Sequence, residues 1–371
     1  MKPKILFILH YPPPVHGAAI VGQYIRESEI INSAFEGRYI NLGTSRSVEE
    51  IGKNPAGKIF RYMMLLGRVF KMLVTFKPDV CYLTPSALRL GFYKDAPLIT
   101  LAKFFNVKVV LQFHNKGISK WKNSVIDKIV CGFIFKNANV ILLSKYLYYD
   151  IQKYVPESKV YYCANGIKEI DYGLQITNKK NRKKVEILFL SNLIESKGVY
   201  VLLEACKILK DKKIAFQCTL VGGIGDISEP QLISQIKQRD LVDCIQYAGK
   251  KYTIEKSEAY LHSDIFVFPT FYSNECFPLV LLEAMQCSLP VITTFEGGIP
   301  DIVEDEKTGY LIPQKDILSL ADRLEILINN PLLRLNMGIA GRLKYEQEFT
   351  LAIFENRFID ILQDIALKVT K

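Results

Sequence analysis

The stretch Ile265-Phe-Val-Phe-Pro-Thr-Phe-Tyr-Ser-Asn-Glu-Cys-Phe-Pro-Leu-Val-Leu-Leu-Glu-Ala-Met285 passes from an apolar run to a polar loop and then to a helical pattern. Ile265 to Pro269 has the unbroken apolar character of a strand covered on both faces. Pro278 suits the first turn of a following helix, where no backbone N–H is needed, and that helix runs to about Met285. Glu275 falls in the loop and Glu283, eight residues later, in the helix. Alone, Glu275 reads equally as a solvated loop residue, but Glu283 sits among Leu281, Leu282, Ala284 and Met285, which argues against free exposure.

The same strand, loop and helix order recurs along the chain. In the first half, apolar runs at Ile5–Leu9, Val80–Leu83, Val107–Phe113, Val140–Leu143 and Val160–Cys163 alternate with helical stretches. In the second half strands are expected at Ile187–Leu190, Phe216–Val221, Ile245–Ala248, Ile265–Pro269 and Pro290–Thr293. Helices are expected at Gly198–Lys210, near Pro230–Arg239, and in a final tail. Strands alternating with helices predict parallel, doubly wound sheets. Between the halves, Asp171 to Lys184 is polar, basic and without apolar periodicity, the mark of a linker. The expected division is residues 1–170, a linker over 171–184, a second domain over 185–348 and a C-terminal helix over 349–371. In open α/β sheets ligands sit beyond the carboxyl ends of the strands, so chemistry is sought in the loops just after them.

At 371 residues the chain is about twice a usual domain of about 100–200 residues, and 49% apolar with 23% charged residues excludes disorder and fibres. Eight cysteines without a C-x-x-C pair read as thiols in a reducing cytoplasm. The one long uncharged stretch, Ile5 to Ile25, contains three prolines in a row, so no transmembrane helix is expected and export is not. The net charge of +10 is uneven: residues 1–170 hold 24 Lys and Arg against 11 Asp and Glu. That basic half suits an anionic partner, whether a phospholipid headgroup, a lipid pyrophosphate or nucleic acid, or serves solubility alone. No nucleic-acid-binding signature accompanies it.

The segment around Glu275 and Glu283 resembles the E-x7-E motif of retaining GT-B glycosyltransferases, specifically glycosyltransferase family 4. The resemblance extends through Pro290-Val-Ile292, Gly297-Gly-Ile-Pro300 and Gly309-Tyr-Leu311, covering most of the second half, and reaches the first half by position. It implies two Rossmann-like domains facing across a cleft, with Glu275 contacting the transferred sugar and Glu283 the nucleotide ribose. Backbone N–H groups of Cys276, Phe277, Leu279 and Val280, at a helix start with its positive dipole end, would hold the diphosphate. Cys276 and Pro278 stand where the family has glycine. Phe189-Leu-Ser-Asn-Leu-Ile-Glu-Ser-Lys-Gly198 resembles the family's G-R-L-x-x-x-K-G loop, which assigns phosphate binding to Lys197. Asn192 replaces the usual arginine, so one diphosphate cation is missing; another basic residue compensates or catalysis is weaker. Gly222 and Gly223, with Lys251 or Tyr252, would flank the nucleobase. Gly17, in Pro12-Pro-Pro-Val-His-Gly17, takes the place of the family's first glycine-rich loop, with His16 beside it. His114, after the strand Val107–Phe113, takes the place of the histidine that touches the donor sugar, while His10 and His262 read as structural.

The resemblance implies a metal-independent, retaining transfer of a sugar from a nucleoside diphosphate, UDP by default and GDP as runner-up, to a glycan or lipid-linked acceptor in surface polysaccharide synthesis. No cofactor is expected. The segments Ile59–Phe76 and Leu88–Phe105, apolar with interspersed cations, would rest on an anionic membrane, or form core helices with snorkelling lysines. Two rivals are a nucleotide-sugar epimerase of similar architecture, which needs no acceptor, and a binding subunit weakened by Asn192. Phe349 to Leu367 has apolar spacing for a strut packed on the first domain, or for a dimerisation helix.

Overall fold

The computed structural model describes residues 2–43, 55–121, 124–170 and 184–368. Two compact units result, one built from Met1–Gly166 and Leu351–Lys371 and the other from Ile167–Thr350. Apart from Lys184, the expected linker over 171–184 lies outside the described residues.

Unit 1 contains strands β1 (Lys4–Leu9), β2 (Glu36–Asn41), β3 (Val80–Leu83), β4 (Lys108–Gln112), β5 (Asn139–Leu142) and β6 (Val160–Tyr162). Its helices are α1 (Gly17–Glu27), α2 (Glu29–Ala34), α3 (Pro55–Thr75), α4 (Arg89–Phe104) and α5 (Val125–Phe135). The strands form one parallel sheet in the order β2-β1-β3-β4-β5-β6. Ile5 to Leu9 and Val80 to Leu83 have no exposed surface, as their unbroken apolar runs require at the centre of a sheet covered on both faces. The chain steps one way from β1 to β2 and the other way from β2 through β3, β4 and β5. Right-handed crossovers therefore put α1 and α2 on one face and the adjacent helices α3, α4 and α5 on the other. Sequence reading finds no strand at β2, because this edge strand, Glu-Gly-Arg-Tyr-Ile-Asn, buries only Ile40 and lacks the apolar run of its neighbours.

Unit 2 repeats the plan with β7 (Val185–Leu190), β8 (Phe216–Val221), β9 (Ile245–Tyr247), β10 (Ile265–Phe268), β11 (Val291–Thr294) and β12 (Gly309–Ile312). Its helices are α6 (Val199–Asp211), α7 (Glu229–Gln238), α8 (Thr253–Leu261), α9 (Leu279–Gln286), α10 (Ile299–Ile302), α11 (Ile317–Asn329) and α12 (Pro331–Glu348). The parallel order is β12-β11-β10-β7-β8-β9. Strand order reverses between β7 and β10, so the loops leaving these two strands diverge to opposite faces and open a crevice at their carboxyl ends. The last helix, α13 (Leu351–Leu367), belongs to unit 1, where it packs beside α2 and sets Phe358 5.2 Å from the ring of Tyr82 and 6.5 Å from that of Phe7. Both sheets have the doubly wound parallel architecture that the alternation of strands and helices predicts.

Candidate functional site

The loops after β7 and β10 are tied together by their backbones. Phe271 N–H donates to the carbonyl of Ser196 at 2.8 Å, and Thr270 Oγ1 donates to the same carbonyl at 3.3 Å. Gly198, at φ +91°, closes the first loop against the second. A β-carbon there would lie 2.1 Å from the carbonyl oxygen of Pro269, so only glycine allows this approach. The result brings Lys197 and Glu275 together although 78 positions separate them: Lys197 Nζ donates to Glu275 Oε2 in an ion pair. The two side chains are 15% and 10% exposed, so the pair is largely withdrawn from water while remaining reachable. The ammonium also stands 4.5 Å from the ring centre of Tyr272 and 5.5 Å from that of Phe268, an aromatic seat that favours a cation.

Beyond Glu275 the chain buries Cys276 and Phe277, whose ring lies 5.9 Å from that of Phe349. Only their backbones are therefore available to a ligand. Pro278 is the N-cap of α9 rather than a residue of its first turn, and Leu279 and Val280 open the helix, where N–H groups have no intrahelical acceptor. Glu283, in the second turn, is held from α8: Lys256 Nζ donates to its Oε1 at 2.6 Å and Tyr260 OH to its Oε2 at 2.8 Å. Neither Lys256 nor Tyr260 is singled out by sequence reading. Their spacing of four marks one helix face, but nothing local says that this face meets Glu283.

The loops after β7, β8 and β9 form a second stitched group. Ser191 N–H donates to Val221 O at 3.0 Å, Leu193 N–H to Gly223 O at 2.7 Å, and Gly222 N–H to Gly249 O at 2.9 Å. A β-carbon on Gly222 would lie 1.7 Å from Ser191 O, so this glycine serves the approach of two loops. A β-carbon on Gly223 would stand 3.1 Å from Lys250 Cδ and 3.3 Å from Asn192 Oδ1. Thus Lys250, the neighbour of the Lys251 picked out from the sequence, flanks Gly223 together with Asn192, which is itself exposed.

In unit 1 the residues named from the sequence lie at the carboxyl ends of β1 and β4. His16 is the N-cap of α1, its Nδ1 accepting from Ala19 N–H at 3.3 Å, and Gly17 is the first residue of that helix. A β-carbon on Gly17 would meet nothing within 4 Å, so the protein's own packing does not demand glycine there. His10 stacks edge-on against His16, with ring centres 5.6 Å apart. Burial, with His16 nearby, lowers the His114 imidazole to about 4; burial, with His16, Lys94 and His114 nearby, lowers His10 to about 3. Both rings are therefore neutral near pH 7, and His114 Nε2 is buried without a hydrogen-bond partner among the described residues. His10, read as structural, thus shares one electrostatic environment with His114. His262 instead ends α8 on the surface, with Nδ1 2.7 Å from Glu258 O. Among the described residues no group of three or more His, Cys, Asp or Glu stands close enough to hold a metal ion.

Residues 175–344 match the family model described as glycosyl transferases group 1. The amylovoran biosynthesis glycosyltransferase AmsK of Erwinia amylovora is 33% identical over 216 residues, 57% of this chain and 52% of that protein. The chain spans about half the length of the curated relatives it matches at this level. A glycosyltransferase structure from Rickettsia africae superposes with a TM-score of 0.77 at 18% identity, covering 99% of this chain and 100% of that one. An Anabaena protein, HepE, solved in complex with UDP and glucose, gives a TM-score of 0.72 at 16% identity over 98% and 100% of the two chains. These superpositions establish the fold, two Rossmann-like parallel-sheet domains of the GT-B type.

Proposed function

We propose that this protein, whose residues 175–344 match the glycosyl transferases group 1 model, is a retaining glycosyltransferase that moves a sugar from a UDP-sugar to a glycan or lipid-linked acceptor in surface polysaccharide synthesis. The observation that carries this reading is the Lys197–Glu275 pair at the switch point of unit 2, with Glu275 in the loop that leads into α9, whose first N–H groups, at Leu279 and Val280, have no intrahelical acceptor. A nucleoside diphosphate leaving group needs fixed positive potential, and a point cation next to a helix start supplies it. The name of AmsK and the UDP complex of HepE support the substrate class.

In the proposed reaction the bond between the anomeric carbon and the β-phosphate oxygen breaks with its electron pair going to that oxygen. The acceptor hydroxyl attacks the same face of the sugar, and its proton passes to the departing phosphate. Lys197 and the amides after Cys276 stabilise the growing phosphate charge, so we assign no role to a divalent metal or other cofactor. Glu275 accepts hydrogen bonds from the sugar hydroxyls, and Glu283, oriented by Lys256 and Tyr260, accepts those of the ribose.

The acceptor is proposed to be presented at a membrane surface on the cytoplasmic side. No helix among the described residues is long and apolar enough to cross a membrane. The layer α3, α4 and α5 nevertheless exposes Phe60, Met63, Leu90, Phe104, Ile126 and Ile129 by 59–85%. These three helices carry eight lysines and arginines, and their only acids, Asp95 and Asp127, are buried. Arg89 and Lys94 pair with those two acids, and the remaining cations among exposed apolar side chains suit an anionic bilayer.

The test is donor use. Purified protein is offered UDP- and GDP-sugars with membrane extracts as acceptor, and the product is analysed for a new glycosidic bond of retained configuration. Free sugar or an epimerised donor without acceptor modification overturns the reading.

A further inference from the structure

We infer that Lys250 binds the donor diphosphate from the β9 loop and so replaces the cation missing at Asn192. This rests on the nucleotide-sugar reading above and adds a residue to its site. The β7 loop carries Lys197, already paired with Glu275 of the β10 loop, and on its β8 side it meets the Gly222-Gly223 turn. Asn192 begins that loop and carries no charge. Where Gly223 lacks a side chain, the Lys250 methylenes and the Asn192 carboxamide converge: the same β-carbon position lies 3.1 Å from Lys250 Cδ, 3.5 Å from its Cε and 3.3 Å from Asn192 Oδ1.

Two features direct Lys250 there. Gly249, at φ +68°, turns the chain immediately after β9, while its carbonyl is held by Gly222 N–H at 2.9 Å, so the lysine leaves from a fixed point. Lys250 Nζ has no carboxylate partner among the described residues; it rests 4.8 Å from the ring centre of Tyr252. Lys197 and Lys256, by contrast, are each neutralised by a glutamate. A cation seated on an aromatic face keeps its charge available, and a lysine's four-carbon stem lets the ammonium swing from the ring onto a phosphate oxygen. The loss of a cation at one strand end is thereby offset from a loop two strands away, through a glycine that leaves space for both side chains.

The experiment is calorimetric titration of the full chain with UDP, GDP and uridine, comparing wild type, K250M, N192R and the double variant. K250M is expected to weaken binding of the diphosphate about tenfold, as loss of one charge-assisted contact should. Uridine binding should be unchanged, and the UDP affinity of the double variant should return to within about threefold of wild type. Equal UDP affinity in wild type and K250M overturns the inference, as does an equal loss for uridine, which would place Lys250 at the base or in the packing. Failure of N192R to restore affinity in the double variant counts against the shared subsite. If wild type binds neither UDP nor GDP, the nucleotide-sugar reading fails and the inference falls with it.

Discussion

Replacing Glu275 by glutamine is expected to tighten UDP binding while slowing transfer. In the structure Glu275 occupies the Lys197 ammonium that a diphosphate would need, so the ligand must first compete with an internal carboxylate. The side chains are 15% and 10% exposed, which places the pair between a surface ion pair, worth up to about 1 kcal/mol, and a fully buried one, whose disruption costs about 3–5 kcal/mol. Taking about 1–2 kcal/mol as the strength of lysine pairing returned to the ligand, E275Q should bind UDP about 5- to 30-fold more tightly. The same change removes the negative charge from the sugar subsite and should lower kcat by a factor of about 100 or more, because the lost interaction strengthens as the sugar becomes cationic. Calorimetry gives the affinity, single-turnover assays with the best donor give the rate, and a melting curve confirms that the variant is folded. A folded E275Q that binds UDP no better than wild type would refute the reasoning, since Lys197 would then not be the group the diphosphate claims.

Gly198→Ala should destabilise the chain by about 2–4 kcal/mol, combining a left-handed backbone with overpacking against Pro269 O, and urea unfolding measures it. A loss below about 0.5 kcal/mol would mean that the two loops part easily. The neutral His10 and His114 resist protonation down to about 3 and about 4, whereas both titrate near 6.5 in the unfolded chain. Their contribution is thus fully present above about pH 6.5 and is lost as the pH falls from there toward 4. Urea unfolding at pH 7.5 and pH 5 should show a smaller difference for H10N/H114N than for wild type; equal differences contradict the burial argument. Wild type should float with vesicles containing phosphatidylglycerol, and F60E/I129E should lose most of that binding. Binding that ignores the anionic lipid content would exclude the charged face as its cause.

Much of the fold is legible because its signals are local. The unbroken apolar runs Ile5–Leu9 and Ile265–Phe268 announce strands covered on both faces, and Pro278 announces the start of α9. One strand missing from that reading has the same logic: β2, half exposed at a sheet edge, needs no apolar run and leaves no signal. At the site, Glu275, Glu283 and Lys197 stand out through the resemblance of their short windows to family motifs; without it, Glu275 reads equally as a solvated loop residue.

What the sequence alone determined about this protein is therefore the alternation of strands and helices, the two successive α/β units, and which strand-end loops hold charged residues. Tertiary structure alone decided who meets whom: Lys197 with Glu275, Lys256 and Tyr260 with Glu283, Lys250 beside Asn192, and His10 near His114. It also showed that the acids of α4 and α5 are buried while the cations of α3, α4 and α5 share their layer with exposed apolar side chains. The physical reason is that apolar periodicity is written residue by residue. Which loops become neighbours depends instead on the lateral order of strands, β12-β11-β10-β7-β8-β9, and that order is fixed only when the crossovers close and the sheet packs.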